Sequence, residues 1–323
     1  MVTALDILAA RRRIAPFVSP TPLAASSWLT DASGRPVRLK LESLNLTCSF
    51  KVRGAFNALL HMLEVTPGAL TAAAVVTASA GNHGRALACA AERLGLRAVV
   101  FTPSGAPRAK RDAIRAHGAV LHDEAPDYDA AERAARDYAE LEGGVYISPY
   151  NHPDVIAGAG TVGLEVIEAC PEAGAVIVPL GGGGLCSGIG VAIRAASPGT
   201  RVIGVEADAS TPFTTGRAHG AITRIEPRPT LADGLAGNLE PDAITFPLVQ
   251  LVVDDVVTVS EQAIGRAMRQ AGAHDHLIVE GSAATALAAA AAHPPEVNGP
   301  LVAIVTGANV DLDVWTTAVA AHA

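Results

Sequence analysis

The sequence is poor in lysine. Lys40, Lys51 and Lys110 are its only three in 323 residues, and arginine supplies nearly all the remaining positive charge. No basic stripe appears, and the formal net charge is -8, which argues against a nucleic-acid partner. No uninterrupted apolar segment reaches bilayer length, so no membrane span is expected. Arg11-Arg12-Arg13 follow a short apolar run that contains Asp6, without a small-residue cleavage pattern, so the N-terminus does not read as a secretory signal. Cys48, Cys89, Cys170 and Cys186 are scattered and form no CxxC, which suits a reducing cytoplasm and argues against a zinc knuckle or disulfide frame. The ten histidines include no HExxH, and no dedicated metal site is expected.

What is present is a globular pattern, half apolar and 17% charged, long enough for one large or two ordinary domains. A helix is expected over 4–13, ended by Pro16, and another over 50–63, where Val52, Ala55, Phe56, Leu59 and Leu60 recur at helical spacing. Between them, 37–42 alternates apolar and charged residues as a half-buried strand does, with Lys40 on the polar side. Short apolar strands at 75–78, 98–101, 120–121 and 145–147 then alternate with helices over 85–94, 107–118 and 128–142. A helix from Pro153 to Cys170 opens a second run, with strands at 175–178, 202–205, 252–259 and 301–305. Such alternation predicts an α/β protein of two lobes, each a mostly parallel twisted sheet with helices on both faces. The alanine run 283–292 reads as a close-packed helix.

Three turns stand out, because ligands in open α/β sheets bind beyond the carboxyl ends of the strands. Ser79-Ala80-Gly81-Asn82-His83-Gly84 joins a strand to a helix, and free N–H groups at a helix start suit a carboxylate. Gly181-Gly182-Gly183-Gly184-Leu185 does the same with four glycines, an entropic cost usually offset by close approach of backbone to a ligand, here a phosphate. It is neither GxGxxG nor GxxxxGK[ST], which favours a small phosphorylated cofactor over a dinucleotide or ATP. Thr306-Gly307-Ala308-Asn309 would add a neutral hydroxyl. Lys51 lies between Phe50 and Val52, and a lysine, unlike an arginine, becomes an amine nucleophile once burial lowers its pKa. An amine, a phosphate cradle, a carboxylate cradle and a neutral hydrogen-bonding group are what pyridoxal phosphate needs to act on an amino acid.

The chain resembles the pyridoxal-phosphate-dependent enzymes of fold type II, and within them the serine/threonine dehydratase group that includes serine racemase. The resemblance runs through Pro20-Thr21-Pro22-Leu23, Leu39-Lys40-Leu41-Glu42, Ser49-Phe50-Lys51-Val52-Arg53-Gly54, the 79–84 loop, the glycine loop, Ala232-Asp233-Gly234, Val279-Glu280-Gly281 and Thr306 to Asn309. It implies a large cofactor-binding lobe of residues 1–73 and 153–323, and a small substrate-side lobe of 74–152. Lys51 matches the lysine that bonds the cofactor, Phe50 a residue beside its ring, and Asn82 the asparagine on its ring hydroxyl. Gly181, Gly182, Gly183, Gly184 and Leu185 match the phosphate loop, and Thr306 the hydroxyl facing the pyridine nitrogen. Ser79, Ala80, Gly81, Asn82 and His83 match the loop for the substrate carboxylate. Asn151 and Glu280 match further polar positions near cofactor and substrate, and Asp233 joins His83 and residues 236–238 on the side-chain wall.

The implied reaction is β-elimination from a β-hydroxy amino acid, serine or threonine by default, to a 2-keto acid and ammonia. A bulkier 3-hydroxy acid such as 3-phenylserine or 3-hydroxyaspartate is the alternative. Racemases carry Ser where Ala80 stands, and Ala80 cannot serve as an acid or base. The family's cation site pairs two acidic residues six positions apart, but here Glu206 is followed by Pro212. Cys48 replaces a usual Gly, which implies a packing change. A cytoplasmic homodimer without feedback control by an end product completes the expectation.

Overall fold

The computed structural model describes residues 1–66 and 73–321. Its strands are β1 (Leu23–Ala25), β2 (Val37–Leu41), β3 (Val75–Ala78), β4 (Ala98–Pro103), β5 (Val120–Ala125), β6 (Val145–Tyr146), β7 (Ala175–Pro179), β8 (Arg201–Ala207), β9 (Asp255–Val259) and β10 (Leu301–Val305). The runs rich in Val and Ile have no polar face to turn outward. They therefore take central positions buried on both sides, as β7 and β10 do along their whole length.

Two sheets result. One has six strands in the order β1-β2-β10-β7-β8-β9, all parallel except the edge pair β1 and β2. The other has four parallel strands in the order β5-β4-β3-β6. The alternation of strand and helix patterns anticipates this α/β architecture, while the short strand β1 after Pro22 carries no such signal. The helix Gly281–Ala292 is buried almost throughout, as its small side chains allow. Among the described residues no helix is long and apolar enough to cross a membrane.

The helix Lys51–Val65 ties the two halves together. Its Val52, Phe56 and Leu59 share a hydrophobic cluster with Val75, Leu87 and Val100 around the four-stranded sheet. Its first turns also lie on the helix Pro153–Ala169. A Cβ added at Gly158 would come within 2.5 Å of the Arg53 carbonyl, so the two backbones nearly touch. Glycine there lets the lysine-bearing turn seat itself without play.

Three local expectations need correction. The strand 37–41 is not half-buried: Lys40 is 1% exposed, because the helix Pro153–Ala169 brings Glu165 to the face it points to. The helix expected from Arg85 begins at Asn82, so Asn82, His83 and Gly84 already form its first turn. The strand before the Glu261–Gln270 helix begins at Asp255, a little later than the apolar run suggests.

Candidate active site

The site collects the segments that leave the carboxyl ends of β2, β3, β7 and β10. Backbone pairing stitches the first and last of these together. Phe50 N donates to Thr306 O at 3.1 Å, Ala308 N donates to Cys48 O at 3.0 Å, and Ser49 bridges to Gly307. Cys48 sits in the left-handed region at φ 55°, a conformation that glycine adopts without strain and a side chain does not.

Lys51 opens its helix, where burial replaces solvent around its amine. Its Nζ donates to the Pro149 carbonyl at 2.8 Å and lies 5.2 Å from the centroid of the Phe50 ring. Burial lowers the amine to about 8, against the opposing pull of the Glu280 carboxylate. Lys51 is therefore not a solvated surface charge. Glu280 is 6% exposed, and burial with the nearby Asp233 charge pushes its carboxyl up to about 7. Asn82 Nδ2 donates to its Oε1 at 2.8 Å and to its Oε2 at 3.1 Å.

The glycine loop lies at the start of the helix Gly184–Ala196. The first intrahelical donor near it is Ser187 N, to Gly183 O, so the N–H groups ahead of it have no helical acceptor. Gly183 has φ +86°, and a Cβ there would stand 2.6 Å from the Phe213 ring. At Gly182 a Cβ would fall 2.3 Å from Cγ of Tyr150. Tyr150 escaped the sequence reading, although it adjoins Pro149 and Asn151. An aromatic residue beside a candidate polar position is a weak signal, and only the fold brings it to the glycines. Leu185 is buried behind the loop, and the Thr245 hydroxyl donates to Gly182 O.

In the 79–83 loop, Gly81 N donates to Ser79 Oγ at 3.2 Å, and the Ala80 side chain contributes no polar atom. The His83 ring is buried, with Nε2 3.3 Å from Ile147 O and Nδ1 lacking a partner among the described residues. Burial and the Lys51 charge drop its pKa to about 3, so it is neutral. Thr306 is 3% exposed.

The Asn151 and Asp233 side chains have protein partners of their own. The Asn151 amide donates to Glu240 and Asp242 and accepts from Ile244 N. Asp233 is exposed and pairs with Lys110. Asn238 bonds the backbone of Ile225. Glu206 accepts hydrogen bonds from Phe213 N, Thr214 N and the Thr214 hydroxyl at the start of the helix that Pro212 opens. Among the described residues no cluster of His, Cys, Asp and Glu suited to a metal ion occurs.

A family model described as pyridoxal-phosphate dependent enzyme matches residues 14–307. The chain belongs to this family. It is similar to the L-threonine ammonia-lyase of Thermotoga maritima, 40% identical over 97% of this chain and 77% of that protein. It is 34% identical to the L-threo-3-hydroxyaspartate ammonia-lyase of Saccharomyces cerevisiae, over 97% of this chain and 94% of that one. Among solved structures, maize serine racemase superposes with a TM-score of 0.90 at 32% identity, covering 99% of this chain and 98% of that one.

The residues present suit the family's cofactor. A buried amine of lowered pKa, a glycine loop closed to any side chain at 182 and 183, and a neutral hydroxyl at Thr306 match its aldehyde, phosphate and pyridine parts. Ser49 Oγ, two residues before Lys51, is a further buried polar atom without a partner among the described residues.

Proposed function

We propose that this pyridoxal-phosphate-dependent enzyme eliminates water from a β-hydroxy amino acid, with L-serine or L-threonine as first choice, and that the enamine released takes water back up as it loses ammonia, to give a 2-keto acid. The supporting observation is Lys51. It is a buried amine held by one carbonyl, with a pKa of about 8, so an appreciable fraction is unprotonated near neutral pH. The cofactor, when bound, supplies an electron sink at Cα. The N–H groups at the start of the Asn82–Leu94 helix receive the substrate carboxylate. Lys51 accepts the Cα proton. The Thr306 hydroxyl would hold the pyridine nitrogen without charging it, which would favour prompt loss of the β-hydroxyl. Neutral His83 walls the site without adding charge.

The threonine and hydroxyaspartate ammonia-lyases among the relatives support this reaction class. Racemisation needs an acid or base on the second face of Cα, and the methyl of Ala80 cannot provide one. The test is a keto-acid assay across β-hydroxy amino acids of both stereochemistries, with serine, threonine, 3-phenylserine and 3-hydroxyaspartate as its arms. Serine and threonine are expected to lead, and turnover confined to 3-hydroxyaspartate or 3-phenylserine would replace the substrate assignment. Ala80→Ser should raise formation of D-serine from L-serine. An unchanged D-product would remove Ala80 from the argument.

A further inference from the structure

Asn82 presents an amide, and an amide has two different ends. Which end faces Glu280 and the cofactor decides whether that spot donates or accepts. The answer is set from outside the site. Arg85 Nη1 donates to Asn309 Oδ1 at 2.6 Å. Asn309 Nδ2 donates to Asn82 Oδ1 at 2.7 Å and to the Thr47 carbonyl at 2.9 Å. Asn82 Nδ2 then donates to the Glu280 carboxyl.

Both ends of this chain are chemically unambiguous. A guanidinium can only donate, so Asn309 must turn its oxygen to Arg85. The Thr47 carbonyl can only accept, so Asn309 Nδ2 must lie on the other side. That nitrogen can meet only the oxygen of Asn82. The Asn82 NH₂ is therefore forced toward the site, where the Glu280 carboxyl accepts from it.

We infer that Asn309 is a positioning residue that, through Arg85, fixes the Asn82 amide with its donor end toward the cofactor. This rests on the reading of Asn82 as the group that bonds the cofactor's ring hydroxyl. Asn309 touches neither cofactor nor substrate in this scheme. The link spans residues 227 positions apart, from the end of β10 to the end of β3, so it also couples the two sheets at the site.

Asn309→Asp is the discriminating variant. It keeps the size and strengthens the pairing with Arg85, but it replaces the donor facing Asn82 with an acceptor. Asn82 then turns its NH₂ to the new carboxylate and offers oxygen to the cofactor. In the holoenzyme we expect a folded protein of lowered melting temperature, because the new oxygen also faces the Thr47 carbonyl, a pyridoxal phosphate dissociation constant raised about tenfold, and a displaced visible absorption band that a loss of stability alone would not move. Asn82→Ala, measured in parallel, should weaken binding and displace the band as well. If Asn82→Ala changes both and Asn309→Asp changes neither, the inference is overturned alone. If neither variant changes them, Asn82 does not hold the cofactor, and the proposed reading of that residue falls first. Should Asn309→Asp fail to fold, Arg85→Met frees the Asn309 oxygen and should raise the dissociation constant about threefold, and an unchanged constant there overturns the inference.

Discussion

Two cations two residues apart on one helix meet opposite fates. Arg53 is 1% exposed and held between two carboxylates. Its Nε and Nη2 donate to Glu42 at 2.7 and 2.9 Å, and Nη1 and Nη2 donate to Glu165 at 2.6 and 2.9 Å. Burial works against its charge, but Glu42 and Glu165 outweigh it, and the guanidinium is held firmly protonated. Lys40 joins the same cluster through Glu165. Lys51 is half-buried with its amine turned inward, yet its hydrogen bond goes to a neutral carbonyl, and the carboxyl that pulls on it, Glu280, is itself half neutral near pH 7. Burial with counter-ions makes a structural rivet, and burial without them makes a reactive amine. A step of two residues turns about 200° around a helix, which separates the two environments.

The sharpest way to break this contrast is Lys51→Ala. Keto-acid production should fall by at least ~10³-fold, while the melting curve stays that of a folded protein, because no counter-ion is orphaned. Substantial residual turnover would refute the assigned role. Arg53→Ala should do the reverse. It strands Glu42, leaves Glu165 to Lys40 alone, and should cost about 3–5 kcal/mol in denaturant unfolding, with activity following the folded fraction. A loss below about 1 kcal/mol would mean that the cluster is not the anchor of this helix.

Glu280→Gln tests the electrostatics from the other side. The Glu280 carboxyl has a folded pKa of about 7 against an ordinary 4.5, so the folded protein binds its proton more tightly than the unfolded chain does. Wild-type stability at this group is therefore fully present below pH 4.5 and is lost as pH rises through 7. The apo Gln variant should match the wild type near pH ~4 and exceed it by up to ~3 kcal/mol above pH ~7. A difference independent of pH would deny the raised pKa. The smallest expected effect belongs to Cys48→Gly. A non-glycine residue at φ 55° costs about 1–2 kcal/mol, and glycine gives back about 0.5–1 kcal/mol of that in unfolded-state entropy. Thermal unfolding should show a gain of about 0.5–1 kcal/mol, and a loss would mean that the thiol has favourable contacts there.

The parts legible in sequence were those carried by local pattern. The strand runs rich in Val and Ile, the four glycines and the lone lysine at a helix start each speak within a few residues of themselves, and the structure gathers the glycines and the lysine at strand ends around one site. What escaped was set by distant partners. Lys40 reads as solvated until Glu165, 125 positions later, closes its face. Asn151 and Tyr150 are neighbours, and which of them meets the glycine loop depends on how Glu240 is held. Its carboxylate accepts from Ser148, Asn151 and Arg136, while its N–H donates to the Tyr150 hydroxyl. No window around residue 150 contains that information.

The scarcity of lysine has a practical side. Lys40 is locked to Glu165 in the interior and Lys110 is paired with Asp233, so of the three side-chain amines only Lys51 has no carboxylate partner among the described residues. An aldehyde probe followed by mild reduction should therefore mark the Lys51 peptide ahead of the other two lysine peptides, with the α-amino group as the other amine to be counted, giving a built-in label for competent sites in any preparation.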